Sequence, residues 1–381
     1  MFKIMKMKTL FVAALATMSL AACNKDAEPT GTPAGNGGGK TNFAVSLPGA
    51  PETYAVEDPQ AAGQITPLYS NVVVYMLDAG GNAVGYAWTD AEIKARAKRF
   101  EQITEPTKVI VVANTGSTSL LIGNVQPSSV QNILRGLVVA DQNQAVKTLS
   151  AEDEKGNVVG TYGPIQQVAL YGEQTTFTTE TADDGHTLKK AAVELKSVVS
   201  RFEVGTVKAG TGLEALTVEA VYVNNFYTYC GVSSTIQNND ETTWSLPYSP
   251  AWATDGYNAA VTSNAGTKVY AYQVFSGNTV PHIVYKVSGT VTAGYKLSDG
   301  TGDLNNPTDF TDKYITVKGF RESGSLISAI EPHQIYKMGL EDGGIEITPD
   351  KITDKPEKTK IDLIVAITVA EWTSENVTPE F

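Results

Sequence analysis

This 381-residue chain is short of cysteine, histidine and positive charge, and each shortage excludes a class of function. Its two cysteines are Cys23, at the end of an export signal, and Cys230. A mature chain therefore has no second partner for an intrachain disulfide. Cys230, between Tyr229 and Gly231, has the setting of a small buried apolar residue rather than a reactive thiol. His186, His282 and His333 stand apart, at neither the i, i+4 nor the CxxC-type spacing that zinc sites use. No G-x-S-x-G elbow precedes a helix, so a nucleophile triad has no place either. Neither an enzyme nor a cofactor protein is expected. A net charge of −12 argues against a nucleic-acid partner. The apolar run Leu10 to Ala22 falls short of the about 20 residues that span a bilayer. Asp299, Thr301, Asp303 and Asn305 alternate as in a calcium loop, but Phe310 stands where a bidentate Glu belongs, so a solvated hairpin loop is expected there.

Several positive features remain. Lys3, Lys6 and Lys8 ahead of that apolar run make it an export signal. Leu20-Ala21-Ala22-Cys23 resembles a bacterial lipobox, in which the thiol of Cys23 takes a diacylglycerol and becomes the first mature residue. Two or more acyl chains hold stably, so firm attachment to a membrane is expected. The competing reading is an ordinary secretory signal with a chance cysteine. From Asn24 to Lys40 glycines and prolines dominate, a composition suited to a flexible tether. The chain from Thr41 onward is longer than one hydrophobic core usually serves, so two domains are expected.

Phe43, Val45 and Leu47 alternate with small or polar residues in a short first strand, Thr41 to Leu47, which stops at Pro48-Gly49. Val72 to Leu77 and Ala83 to Trp88 flank Ala79-Gly80-Gly81-Asn82, the pattern of a hairpin. Pro127 opens a helix carrying Val130, Ile133, Leu134, Leu137 and Val138 on one stripe, with Ser128 and Ser129 as start signals. Beyond residue 160 almost every signal is a β-branched or aromatic strand. The class expected is a mainly β protein of two β-sandwich domains with minor helix. Tyr222, Phe226, Tyr227 and Tyr229 have the rings to stack on a sugar, but on strands they more often fill a core or subunit interface.

Ile361, Leu363, Val365, Ile367 and Val369 repeat at period two and place five branched side chains on one face of an extended strand. The Pro/Lys-rich stretch Lys351 to Lys360 separates that strand from the body, which suggests that it leaves its own subunit and enters a groove of another. Burying five such side chains contributes on the order of 10 kcal/mol at about 1.5–3 kcal/mol each. Ladder hydrogen bonds add about 1 kcal/mol apiece. Ordering a flexible tail costs about 1–2 kcal/mol per residue, so the apolar face decides whether the joint holds.

Six segments in order resemble the FimA-type major fimbrillins of the Bacteroidales: Ala21 to Asp26, Val111 to Gly116, Ser200-Arg201-Phe202, Val269 to Val287, Glu331 to Tyr336 and Thr368 to Trp372. The resemblance implies two transthyretin-like sandwiches and assembly by protease-triggered strand exchange. It divides the chain into a lipoprotein signal (1–22), a tether with a removable first strand (23–54), an N-terminal sandwich (55–204) and a C-terminal sandwich with the donor strand (205–381). The removable strand corresponds to Phe43, Val45 and Leu47, and the donor to Ile361 through Val369. The best-studied members of that family are cut after an Arg in the loop behind the first strand, whereas this chain has no Arg before Arg96. The corresponding place holds Glu52 to Val56, with Tyr54 and Ala55 at its centre. The implied protein is a stalk subunit of surface fimbriae, serving adhesion and biofilm formation. Its implied partners are copies of itself, related fimbrial subunits, a surface protease and, through Cys23 before processing, outer-membrane lipid. Its location is the outer membrane first and the extracellular fimbrium afterwards. The alternatives are an accessory or tip adhesin of the same fimbriae, or a monomeric glycan-binding lipoprotein.

Overall fold

A computed structural model describes residues 40–371 apart from 48, 52–68, 70, 116–119, 140–141, 143–145, 153–157, 167, 182–186, 231–235, 239, 241, 243–269, 340–343 and 359–362, and also 374–376. The first half supplies strands β1 (Lys40–Ser46), β2 (Val72–Leu77), β3 (Ala83–Ala87), β4 (Ala97–Thr104), β5 (Lys108–Ala113), β6 (Gly123–Val125), β7 (Leu170–Gln174), β8 (Thr178–Thr181), β9 (Thr187–Ala192) and β10 (Lys196–Ser197). Helix α1 (Asp90–Ala95) precedes β4, and α2 (Pro127–Arg135) comes after β6. These strands form two sheets, ordered β8-β9-β1-β4 and β10-β7-β5-β2-β3-β6. Alternation in β2 and β5 puts Val72, Val74, Met76, Val109 and Val111 in one buried cluster with Phe43 and Val45 of the first sheet. The opposite face of the same strands, Val73, Tyr75, Ile110 and Val112, packs on Val130 and Ile133 of α2. The second sheet is thus covered on both faces, by sheet and by helix.

The hairpin joining β2 to β3 forms where the sequence placed it, with Gly81 at φ +79° and the Asp78 carboxylate accepting the backbone N–H groups of Gly80 and Asn82 at 2.8 and 2.9 Å. Helix α2 starts at Pro127 as expected, but its N-cap is Gln126, which makes no side-chain cap, and the helix ends at Arg135. Leu137 and Val138 lie beyond it. Leu137 is buried in the main core, and Val138 bridges to Tyr229. Tertiary contacts have drawn the end of the apolar stripe out of the helix.

The second half supplies β11 (Val199–Val204), β12 (Leu213–Asn224), β13 (Tyr270–Phe275), β14 (His282–Val291), β15 (Thr308–Glu322), β16 (Ser325–Leu326), β17 (Gln334–Met338), β18 (Leu363–Ala366) and β19 (Thr368–Glu371). One sheet is ordered β13-β11-β17-β19, the other β12-β14-β15-β16 with β18 also on β15. They meet face to face. Phe202 on β11 lies 5.3 Å from Phe320 on β15, and the Tyr272 hydroxyl on β13 donates to the Val221 carbonyl on β12 at 2.8 Å. The chain is mainly β, with its sheets paired as sandwiches around one continuous apolar cluster.

Candidate functional site: the first strand and the C-terminal segment

Strand β1 lies inside its sheet. It runs parallel to β9, with Phe43 beside Lys189 and Val45 beside Ala191, and antiparallel to β4, with Phe43 beside Phe100 and Ser46 beside Ala97. Past its end the ladder continues, as the Val193 N–H donates to the Ser46 carbonyl at 2.8 Å and the Leu47 N–H to the Arg96 carbonyl at 3.0 Å. Phe43, Val45 and Leu47 are fully buried in the main cluster, and the Phe43 ring meets Phe177 edge-on at 5.1 Å. Their burial contributes about 1.5–3 kcal/mol each, with ladder bonds in addition. Ala44 and Ser46, on the other face, are also buried. Alternation showed the inner face; nothing local announced that the outer one is closed.

This placement has two consequences for removing β1. Cutting the chain after it leaves the strand held by its ladders and side chains, so release needs a competitor. Among the described residues β4 pairs with β1 alone, so loss of β1 opens a slot beside β9 and strips β4 of its ladder.

The C-terminal segment differs from a single free strand. Leu363–Ala366 (β18) runs parallel on β15, pairing Val317 with Leu363 and Phe320 with Val365. The Ile367 N–H then donates to the Arg321 carbonyl at 2.9 Å, and Thr368–Glu371 (β19) pairs antiparallel with β17 in the facing sheet. The expected strand is therefore two short ones, broken where the chain crosses the sandwich. The period survives the break: Val365 and Ile367 are buried, Leu363 and Val369 pack partly against the same cluster, and Ile364, Ala366 and Thr368 face out. Ile361 lies outside the described residues, as do Cys23, Tyr54 and Ala55.

The Pro/Lys-rich stretch is also not free. Ile352 is fully buried, Thr353 and Tyr314 exchange backbone hydrogen bonds at 2.8 and 2.9 Å, and Glu357 is 5% exposed. Asn224 Nδ2 donates to the Glu357 carboxylate at 2.7 Å, which also lies 2.9 Å from His282 Nδ1, and the Glu357 N–H donates to Thr316 Oγ1 at 3.0 Å. Lys318 Nζ donates to the Lys358 carbonyl at 2.9 Å. The stretch is pinned through Lys358, because buried Ile352 and the paired Glu357 outweigh a composition that suggested a linker. His282, isolated in sequence, gains its acidic neighbour from 75 residues away. A further pairing joins the two ends, Gly49–Pro51 running antiparallel to Ser374–Asn376.

The remaining candidates have local partners. Burial raises the Asp299 carboxyl, but hydrogen bonds from Lys313 and the Thr301 N–H outweigh it and bring its pKa down to about 2. Asp303 accepts the N–H groups of Asn305 and Asn306 at 2.7 and 2.9 Å, so the loop closes on its own backbone. No group of three His, Cys, Asp or Glu that would hold a metal occurs among the described residues. Tyr222 and Phe226 lie in the core, and Tyr229 is exposed. Burial pushes the Cys230 thiol up from its ordinary value.

No family model matches the chain, and no curated protein does. Solved structures similar to it include a candidate cell adhesion protein from Bacteroides eggerthii, at 16% identity and TM-score 0.43, covering 88% of this chain and 97% of that one. Another is the fimbrilin FimA of Porphyromonas gingivalis, at 14% identity and TM-score 0.41, covering 88% and 98%. A third is the tip fimbrial protein Mfa3 of the same organism with a C-terminal truncation, at 11% identity and TM-score 0.38, covering 87% and 100%.

Proposed function

We propose that this chain is a structural stalk subunit of a cell-surface fimbria, without catalytic activity, that polymerises when its first strand is removed and the C-terminal segment of another copy takes the vacated place. The observation that carries the proposal is the position of β1: it is interior to its sheet, buried on both faces, and the earliest of the described strands. Removing it opens a slot that only another strand fills. The chain also carries a candidate occupant in its own alternating C-terminal segment. A chain that both accepts and donates suits a stalk. Donation to a neighbour is heterologous and does not close, so it propagates a filament. In the division proposed, residues 1–22 are the signal, 23–54 are lost on processing, and 55–204 and 205–381 are the two sandwiches. The Gly49–Pro51 to Ser374–Asn376 pairing ties the segment just before the proposed cut to the C-terminus, so a cut near Tyr54 and Ala55 loosens both.

Mass spectrometry of the N-terminus in sheared surface filaments tests this. Filament chains should begin near Tyr54 and Ala55 and retain Ile361 to Val369; chains that begin at Cys23 would overturn it. Replacing Cys23 with Ser should abolish labelling by a palmitate analogue and surface polymer with it, whereas normal fimbriae from that strain would remove the lipoprotein step.

An Arg-specific protease should leave β1 attached. The first arginine, Arg96, is 8% exposed at the C-cap of α1, and its carbonyl holds Leu47. Tyr54→Arg should confer cleavage, read as a shortened chain by mass. Release of β1 from the unaltered chain by that protease would show that the processing segment is misplaced.

A monomeric surface lipoprotein remains the second reading, because the C-terminal segment is paired within its own subunit. The burial of Tyr222 and Phe226 removes the four-ring platform that a glycan-binding role would use.

A further inference from the structure

Strand β1 presents a two-sided requirement to whatever replaces it. Its inner side chains, Phe43, Val45 and Leu47, are large, branched or aromatic, and fully buried. Its outer ones, Ala44 and Ser46, are small and 0% and 5% exposed, with Ala44 in register between Arg99 on β4 and Lys190 on β9. A replacement must therefore read large, small, large, small, large over five residues. The C-terminal segment contains that pattern in Val365-Ala366-Ile367-Thr368-Val369.

We propose that Val365 to Val369 of a second copy occupies the place of Phe43 to Leu47, with Ala366 and Thr368 against the closed outer face. The assignment rests on the strand-exchange reading and fixes its register. Neighbouring registers fail on size or charge. Moving the segment so that Leu363 to Ile367 fills the slot puts the β-branched Ile364 where Ala44 or Ser46 now fits, and adding bulk to a packed site strains it. Moving it the other way, to Ile367 through Glu371, sets the Glu371 carboxylate at one of the fully buried inner ends, where an unpaired charge is not accommodated. The pattern is symmetric, so Ala366 and Thr368 face outward whichever way the segment enters.

The two settings of the segment differ most at these small residues. Docked in its own subunit, the segment exposes Ala366 and Thr368 to solvent; in the slot they are enclosed. Val365 and Ile367 are buried in both. Ala366 and Thr368 thus discriminate between the settings, although the apolar face is the more conspicuous.

The test uses synthetic peptides of residues 361–371 added to full-length chain carrying an engineered cut site within residues 52–56, with filament growth after cutting as the readout. Wild-type peptide and Ile364→Trp peptide should block growth. Ala366→Trp and Val365→Asp peptides should need at least about tenfold more. If Ala366→Trp blocks as well as wild type while Val365→Asp does not, the register is wrong and strand exchange stands. If wild-type peptide fails to block, or all four block alike, strand exchange itself is lost. In the full chain, Ala366→Trp should keep the wild-type Tm and lose assembly after cutting; assembly at the wild-type rate would also overturn the register. The peptide arm decides if that variant folds poorly.

Discussion

Phe43→Ala should lower the stability of the uncut chain by about 3–5 kcal/mol, the usual cost of emptying a buried aromatic site. The ring is fully buried, meets Phe177 edge-on, and belongs to a strand on which β4 depends for its pairing. On the strand-exchange proposal, filaments grown from the same variant should nevertheless match wild-type filaments in denaturant resistance, because a processed subunit would no longer contain residue 43. Chemical denaturation of uncut chain and of filament, each against wild type, measures both numbers. An equal loss in the two states would mean that β1 stays in the assembled subunit, and the exchange would be excluded. The loss of side-chain packing should also hasten any exchange after cutting.

Val365→Asp should cost the uncut monomer several kcal/mol, because it sets a carboxylate at a 6% exposed position in the cluster around β15. Thr368→Asp, on the solvent side of the same segment, should stay within about 0.5 kcal/mol. The sign of the pH dependence comes from burial, which raises the folded-state pKa of the new carboxyl above its unfolded value. The penalty is then fully present above the folded pKa and fades as pH falls toward the unfolded value. Denaturation at neutral and acid pH checks both points. A wild-type Tm for Val365→Asp at neutral pH would show that the segment is undocked in solution. The Pro/Lys-rich stretch Lys351 to Lys360 ahead of the segment suggested such freedom; burial of Val365 and Ile367 in their own subunit argues against it.

Much of the fold was legible because its signals are local. The alternation of Phe43, Val45 and Leu47 sets which side of β1 is apolar wherever the strand pairs, and Gly81 with Asn82 closes a hairpin within a few residues. Pro127 likewise opens α2 without help from elsewhere. Where the sequence misled, distant contacts had intervened. Lys351 to Lys360 has a linker's composition, yet Thr353 and Glu357 find partners on β12, β14 and β15. The C-terminal run is uniformly alternating, yet it changes sheets at Ile367, because its two halves pair with strands on opposite sides of one core.

By itself the sequence determined the mainly β class and the faces of the first and last strands, since each depends on residue type and short-range period. Only the tertiary structure decided that β1 is interior, that Ala44 and Ser46 are closed off, and that the C-terminal segment is docked through both sheets. Strand pairing is the physical reason. β1 pairs with segments that begin at residues 97 and 187, and a period of two states which way side chains point but carries no record of which backbone lies alongside.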